Sequence, residues 1–407
     1  MQPEPSPATS DSDSEEDFPD LVVIQPEEIS VAIFCALPLE SVAVRYSLDQ
    51  AYKCRPKYSN RNQYVYSFGR IGEHKVVLAR PHQIGPVKAA LCAAAVSHQF
   101  PNVQFALMVG IGAGIPTLPK RDIRLGDVVV GIPQDDHPGV LEYDLGKYEK
   151  DGFVLKGSLN KPHPMLISAD GSLKEDEIMG HNPLRKILRP LTKNPGYGRP
   201  KLHDVLYDPT FHHVSKGGDC SACEVATERK AVSRPARTSK RNYPVVHRGL
   251  ILSGGGIIQN PEDRERLRRG YDDALCFENS AAGVMDAIPC LVIRGIYDYA
   301  DTHKQDGWHR YAAAAAAAYC KAVLCKIDGP DEPAVTVKKK TGDALEECES
   351  DVPCHAQSGD MAWSEATRTI PPRRLLPNSE LACDTLYDYP TASALDRQVH
   401  WYNGGNA

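Results

Sequence analysis

Between Ile29 and about residue 328, short apolar runs rich in β-branched residues alternate with stretches of helical spacing, and few architectures accept that rhythm. The strand-like runs are SVAIFCAL at 30–37, VYSFG at 65–69, KVVLAR at 75–80, FALMVGIG at 105–112, DVVVGI at 127–132, RGLILSG at 248–254 and CLVIRGI at 290–296. Helical patterns fall at 85–100, 278–287 and 308–326. Strands interleaved with helices argue for an α/β domain built on a largely parallel or mixed sheet. The purely apolar stretch Ala312–Cys320 is nine residues, against roughly 20 needed to cross a bilayer, so no membrane span is expected. Its alanines suit a thin helix packed close to the sheet.

The flanks differ in texture. Residues 1–28 carry nine carboxylates and no Lys or Arg, with abundant Pro and Ser, and are expected to form a disordered acidic arm. Setting that arm aside, the overall charge of −6 becomes about +3, too small for a nucleic-acid footprint. Residues 329–407 are rich in Pro and charge without a sustained period, and are expected to be a disordered tail. Residues 190–245, with RPARTSKR at 234–241, read as a long surface insertion whose basic segment is solvated. Twelve irregularly spaced cysteines, and a first segment without the layout of a secretory signal, point to free thiols in a cytoplasmic protein. Cys220 and Cys223 form a CxxC near His212 and His213, but a second pair at zinc-motif spacing is missing. Reduced loop thiols are the expectation, and neither a metal nor an organic cofactor is predicted.

Gly110, Gly112 and Gly114 in MVGIGAGIP resemble half of a dinucleotide fingerprint, yet Ile115 stands where its third glycine belongs, so that reading fails. A strand-end turn with exposed N–H groups is expected instead. Carboxylates at strand ends are a sharper signal. Glu40 follows the first strand, Glu278 opens a helix, and Asp298 and Asp301 follow CLVIRGI, where open α/β sheets bind ligands. Each of them also fits a helix cap or first-turn carboxylate.

Taken together, ALPLE, MVGIGAG, RLGDVVV, LEYDLGK, ILSGGG, CFENSAAG and RGIYDYADTHK resemble, in that order, the purine and uridine phosphorylase superfamily. The resemblance covers residues 29–327 and is nearest to fungal nucleoside-phosphorylase-like domains found at the front of NACHT or ankyrin-repeat proteins; with neither region in this chain, a standalone version is expected. It implies a three-layer α/β sandwich around a mixed central sheet, and cleavage of the N-glycosidic bond of a purine nucleoside by water or by inorganic phosphate as co-substrate. Asp298 would be the general acid to the leaving base and Glu40 would position the attacking water. Gly110, Gly112 and Gly114 would lie against nucleophile and sugar, Ser253, Ile257 and Ile258 along the base, and Phe277 as a stacking face. A homo-oligomer acting on a small-molecule nucleoside, with no nucleic-acid or membrane partner, is also implied.

The chain departs from the family after Glu278. Relatives carry Met-Glu where Asn279 and Ser280 stand, and that Glu would grip the ribose hydroxyls; losing a charged hydrogen bond costs about 1.5–3 kcal/mol. Gly255 likewise replaces a polar residue, and Arg80, Arg124 and Arg294 are phosphate-binding candidates without diagnostic context. An active N-glycosidase is therefore expected. The alternatives are an enzyme retuned to a modified nucleoside and a non-catalytic nucleoside sensor or partner-binding module.

Overall fold

The computed structural model describes residues 21–329 other than 56–63, 151, 215–219, 228, 238–242, 269 and 304–305. The chain divides into two units, Met1–Val335 and Thr336–Ala407, and every described residue belongs to the first. Its first half runs β1 (Val23–Ile24), β2 (Val31–Phe34), α1 (Pro38–Ser47), β3 (Gln50–Cys54), β4 (Ser67–Ile71), β5 (His74–Ala79), α2 (Pro86–Gln99) and β6 (Phe105–Gly114). Strands β7 (Val128–Gly131) and β8 (Val140–Glu142) follow, then the hairpin of β9 (Gly146–Glu149) and β10 (Gly152–Leu155). Helices α3 (Pro164–Ile178), α4 (Pro183–Leu191) and α5 (Ser221–Val225) lead to β11 (Val246–Gly249) and β12 (Ile251–Ser253). The unit closes with α6 (Pro261–Arg268), β13 (Cys276–Glu278), α7 (Ala281–Met285), β14 (Cys290–Asp298) and α8 (His309–Leu324).

Six of the seven runs read as strands each hold one strand, and the sheet mixes parallel and antiparallel pairs as expected. Its order is β1-β3-β4-β5-β2-β6-β13-β12-β8, with β14 on the other edge of β6 and β7 and β11 beyond it. Helices α1, α3 and α4 contact α8, and α8 lies on β6 and β14; α2 and α7 pack together as a second group. A sheet covered by helices completes the three layers. Ala312–Ala318 are all buried, and Gly295 of β14 meets α8 so closely that a Cβ there would lie 1.9 Å from the Ala312 carbonyl oxygen. The alanine run and this glycine are thus the two sides of one close approach.

Strand β6 is the hinge of the design. Its N-terminal half pairs with β2 through residues 105–108 and its end pairs with β13 at Ala113 and Gly114, while β14 occupies the opposite edge continuously. On the edge shared by β2 and β13, residues 109–112 have no neighbouring strand among the described residues. That gap in the sheet is where the cavity described below opens.

Three expectations are corrected. The arm predicted to run to residue 28 ends earlier among the described residues: β1 pairs in parallel with β3, and Ile24 is buried. Residues 1–20 and 330–407 lie outside the described residues. The glycines 110–114 do not form a turn but continue β6 as extended strand, because β14 pairs alongside them. RGLILSG is not one strand but two, β11 on β7 and β12 between β13 and β8, separated at Gly249–Leu250.

The fourth correction concerns the basic segment, which is not simply solvated. Arg237 forms an ion pair with Asp127, which also accepts hydrogen bonds from the backbone of Arg124 and Val245 and contacts the His247 ring at 3.0 Å. Arg234 pairs with Asp204 at 2.9 Å and donates to the Tyr299 hydroxyl. The basic residues therefore fasten the insertion to the sheet, while Arg241 lies outside the described residues. None of the nine described cysteines forms a disulfide, and no described helix is long and apolar enough to cross a membrane.

Candidate active site

A cavity of about 230 Å³ opens where β2 and β13 part company beside β6. Its wall includes Ala36, Leu37 and Glu40 from the β2–α1 corner, Ile111–Ala113 from β6, and Phe277–Asn279 from β13. Gly256–Ile258 form the rim, and Arg294, Tyr297 and His309 the far side. Eight of the residues singled out in the sequence meet there: Glu40, Gly112, Ile257, Ile258, Phe277, Glu278, Asn279 and Arg294.

Glu40 sits in the first turn of α1 and is 2% exposed. One carboxylate oxygen accepts the Leu37 N–H at 2.7 Å and the other the Ile111 N–H at 2.8 Å. Ile111 belongs to the stretch of β6 without a neighbouring strand on this edge, so Glu40 takes the place of the missing partner. Burial pushes its carboxyl above the ordinary range, against the pull of Arg294 and of the N–H groups around it. Arg294 is also 2% exposed and forms an ion pair with Glu278. A Cβ at Gly110 would lie 2.2 Å from the Arg294 guanidinium and 2.4 Å from Glu40 Oε1. Gly110 is therefore required by the two charged side chains crossing it.

Glu278 has little left to offer a substrate. Its carboxylate accepts the Ser280 and Ala281 N–H groups at 3.0 Å as well as the Arg294 guanidinium. The Ser253 hydroxyl accepts the Ala282 N–H at 3.0 Å. Together these two side chains satisfy the first N–H groups of α7, the donors a helix start leaves without intrahelical partners. Ser253, expected along the base, thus serves the fold: it is fully buried and absent from the wall. Ser253→Ala is expected to lower stability by about 1–3 kcal/mol, since it strands a buried N–H, with urea unfolding as the check.

Ser280 and Gly114 are also off the wall. The Ser280 hydroxyl accepts the Gly85 N–H at 3.3 Å, and Gly114 lies beneath Ile296 and Ile123. Phe277 does present a face, with Tyr143 meeting it edge-on at 5.6 Å. Tyr143 also donates to the Gly256 carbonyl at 2.8 Å, and Asp144 accepts the Gly255 N–H at 2.6 Å. The LEYD motif therefore clamps the glycine turn that carries Ile257, whose side chain remains 55% exposed at the mouth.

Asp298 ends β14 at a register shift against β6 and is 5% exposed. It is not on the wall. Tyr297 is, with its ring stacked on His309 at 4.3 Å, and its side chain pulls the pKa of the adjacent Asp298 down. Asp298 also accepts the N–H of Ala300, a residue at φ 53°. Burial, reinforced by the charge of Asp301, pushes its carboxyl up to about 7. Such a group still holds its proton near neutral pH, as a general acid must. Of the three arginine candidates only Arg294 reaches the cavity; Arg80 is exposed, and Arg124 pairs with Asp122. Sequence reading missed Tyr297 and His309 altogether, because an aromatic beside a strand end carries no chemical signature until its neighbour is known.

The family model of the phosphorylase superfamily matches residues 30–326. Over 309 residues the chain is 36% identical to a nucleotide-binding leucine-rich repeat (NLR)-like protein of the fungus Hyaloscypha variabilis, covering 75% of this chain and 30% of that protein. Over 296 residues it is 40% identical to ATP nucleosidase Cap17 of Escherichia coli, covering 71% of this chain and 49% of the relative. The chain thus spans less than half the length of these two relatives. Among solved structures, 5′-methylthioadenosine/S-adenosylhomocysteine nucleosidase of Neisseria meningitidis is similar at 17% identity and a TM-score of 0.47, covering 73% of this chain and 99% of that one.

Proposed function

The chain belongs to the phosphorylase superfamily, and from that premise we propose that it cleaves the N-glycosidic bond of a purine nucleoside or its 5′-phosphorylated form, with water as the nucleophile. The observation that carries this reading is a proton-holding carboxyl, Asp298, next in the chain to the wall residue Tyr297 of a cavity that Glu40, Arg294 and Glu278 also line. Breaking the bond between C1′ and the base nitrogen leaves positive charge on the sugar and an electron pair on the base. Asp298, just behind the wall at Tyr297, is the source of the proton that the base nitrogen gains as the base leaves, Glu40 takes one from the attacking water, and the new C1′–O bond completes the sugar product.

Water is favoured over phosphate by charge. The cavity's arginine is already held by Glu278 and faces Glu40, so two carboxylates surround one guanidinium. A phosphate dianion entering there would be repelled, whereas a water molecule finds both an acceptor and a donor. Phosphorylated substrates are included because the 40%-identical relative is named an ATP nucleosidase.

The test is release of free base from adenosine, inosine, guanosine, their deoxy forms and ATP, each with and without phosphate. Release in water alone is expected, and strict dependence on phosphate would overturn the hydrolytic reading. A second reading, a nucleoside-sensing module, is favoured by one observation: Glu278 is fully engaged, and Ser280 bonds Gly85 instead of lining the wall. It predicts that these ligands raise the melting temperature without any base appearing.

Tyr297 supplies a sharper test of the proton donor. Its hydroxyl stabilises the charged form of Asp298, so Tyr297→Phe removes a factor that holds the pKa down. The alkaline limb of the activity profile is expected to move to higher pH, and a limb that stays in place would show that the titrating group is another.

A further inference from the structure

Away from the cavity, the structure gathers the ligand-type side chains that the sequence left as loop thiols. One ring nitrogen of His213 and the Sγ atoms of Cys220 and Cys223 all lie within 4.8 Å of one another. We propose that these three residues form a zinc site that ties His213 to α5, beside the loop after β14.

The donor set selects the ion. Two thiolates and an imidazole suit zinc, whose tetrahedral sites take Cys and His and need no second Cys-x-x-Cys when a histidine supplies the third ligand. Bond lengths of about 2.3 Å to sulfur and about 2.0–2.1 Å to nitrogen place neighbouring ligand atoms roughly 3.5–3.8 Å apart. Atoms already within 4.8 Å need to close by only about 1 Å. No disulfide joins the two cysteines. The fourth position is left to water or another donor, as in three-ligand zinc sites generally.

The surroundings hold the ligands in place. Cys220 caps α5 and Cys223 lies within it, buried, so the helical turn brings the two sulfurs to one side. The Val214 N–H donates to Cys223 Sγ at 3.5 Å, which fixes the position of that sulfur. The His213 N–H donates to Thr302 Oγ1 at 2.9 Å, and its ring meets His303 at 5.5 Å. His303 is itself stacked on Tyr207 at 4.0 Å and on Phe211 at 5.5 Å. A metal here would therefore brace the loop that begins at Asp298. The adjacent His212 belongs elsewhere: it is exposed, with its ring 3.6 Å from Glu262. This inference does not depend on the proposed glycosidase activity.

The experiment measures the metal directly. The full chain, purified under reducing conditions without chelator, is expected to contain about one zinc per chain by plasma mass spectrometry. Exchange for cobalt(II) should give the near-ultraviolet thiolate-to-cobalt charge-transfer band, a readout on the unaltered protein that no misfolded variant can confuse. His213→Ala and Cys223→Ser are expected to lose both zinc and band, and His212→Ala to keep them. Chelation should lower the melting temperature, and added zinc should restore it. A chain that takes up neither ion, a cobalt form without the thiolate band, equal metal loss in His212→Ala and His213→Ala, or a Cys220–Cys223 disulfide in metal-free protein would each overturn the proposal.

Discussion

Asp298→Asn is expected to reduce base release by on the order of 10²–10⁴-fold while the protein stays folded. The amide keeps the shape and an oxygen to accept the Ala300 N–H, but it has no proton of suitable acidity to give. In the parent protein, activity should fall as pH rises through about 7, where the buried carboxyl loses its proton. The stability effect has a definite sign. An aspartate whose folded pKa lies near 7, against an unfolded value near 3.8, favours the folded state fully only below the lower value. That contribution is lost as pH rises through the window between the two. Asp298→Asn should therefore melt higher than the parent at pH 8 and about level with it at pH 4. A loss of melting temperature at both pH values, together with retained turnover, would make Asp298 a structural carboxylate.

The second large effect is on folding. Asp127→Ala is expected to cost about 3–5 kcal/mol, because it leaves the half-buried Arg237 guanidinium without its anion and two backbone N–H groups without an acceptor. Burial works against ionisation of Asp127, yet the hydrogen bonds from His247 and Arg237 overcome it and hold its pKa below the ordinary value. Its stabilising contribution is accordingly present above the unfolded pKa and is lost as acid takes the pH down through the folded one. Denaturant unfolding of Asp127→Ala beside Arg237→Ala and the double variant would measure the coupling. Additive losses would show that the pair does not act as a unit.

How far the sequence reaches can be seen in particular residues. The run CLVIRGI reads as a buried strand because six of its seven positions are apolar or small, and β14 is that strand. The alanines of α8 announce a helix lying close to something, although only Gly295 shows what. Glu40, Phe277 and Ile257 were marked by family resemblance and do converge on the cavity. Ser253 and Ser280 were marked in the same way and do not. A hydroxyl near a strand end satisfies a helix N–H as readily as it binds a ligand, and sequence spacing does not separate the two.

Local patterning by itself determined the main buried strands, the long helix α8 and the family, because periodic burial and short motifs are properties of neighbouring residues. The tertiary structure alone decided which charges meet. Arg237 finds Asp127 across 110 residues, Ile111 donates to Glu40 across 71, and His213 comes to lie against a loop 89 residues away. A carboxylate in water is indifferent to such partners, whereas one buried beside a guanidinium or in an apolar corner takes its protonation from them. Whether Asp298 holds a proton while Asp127 does not is therefore decided by packing.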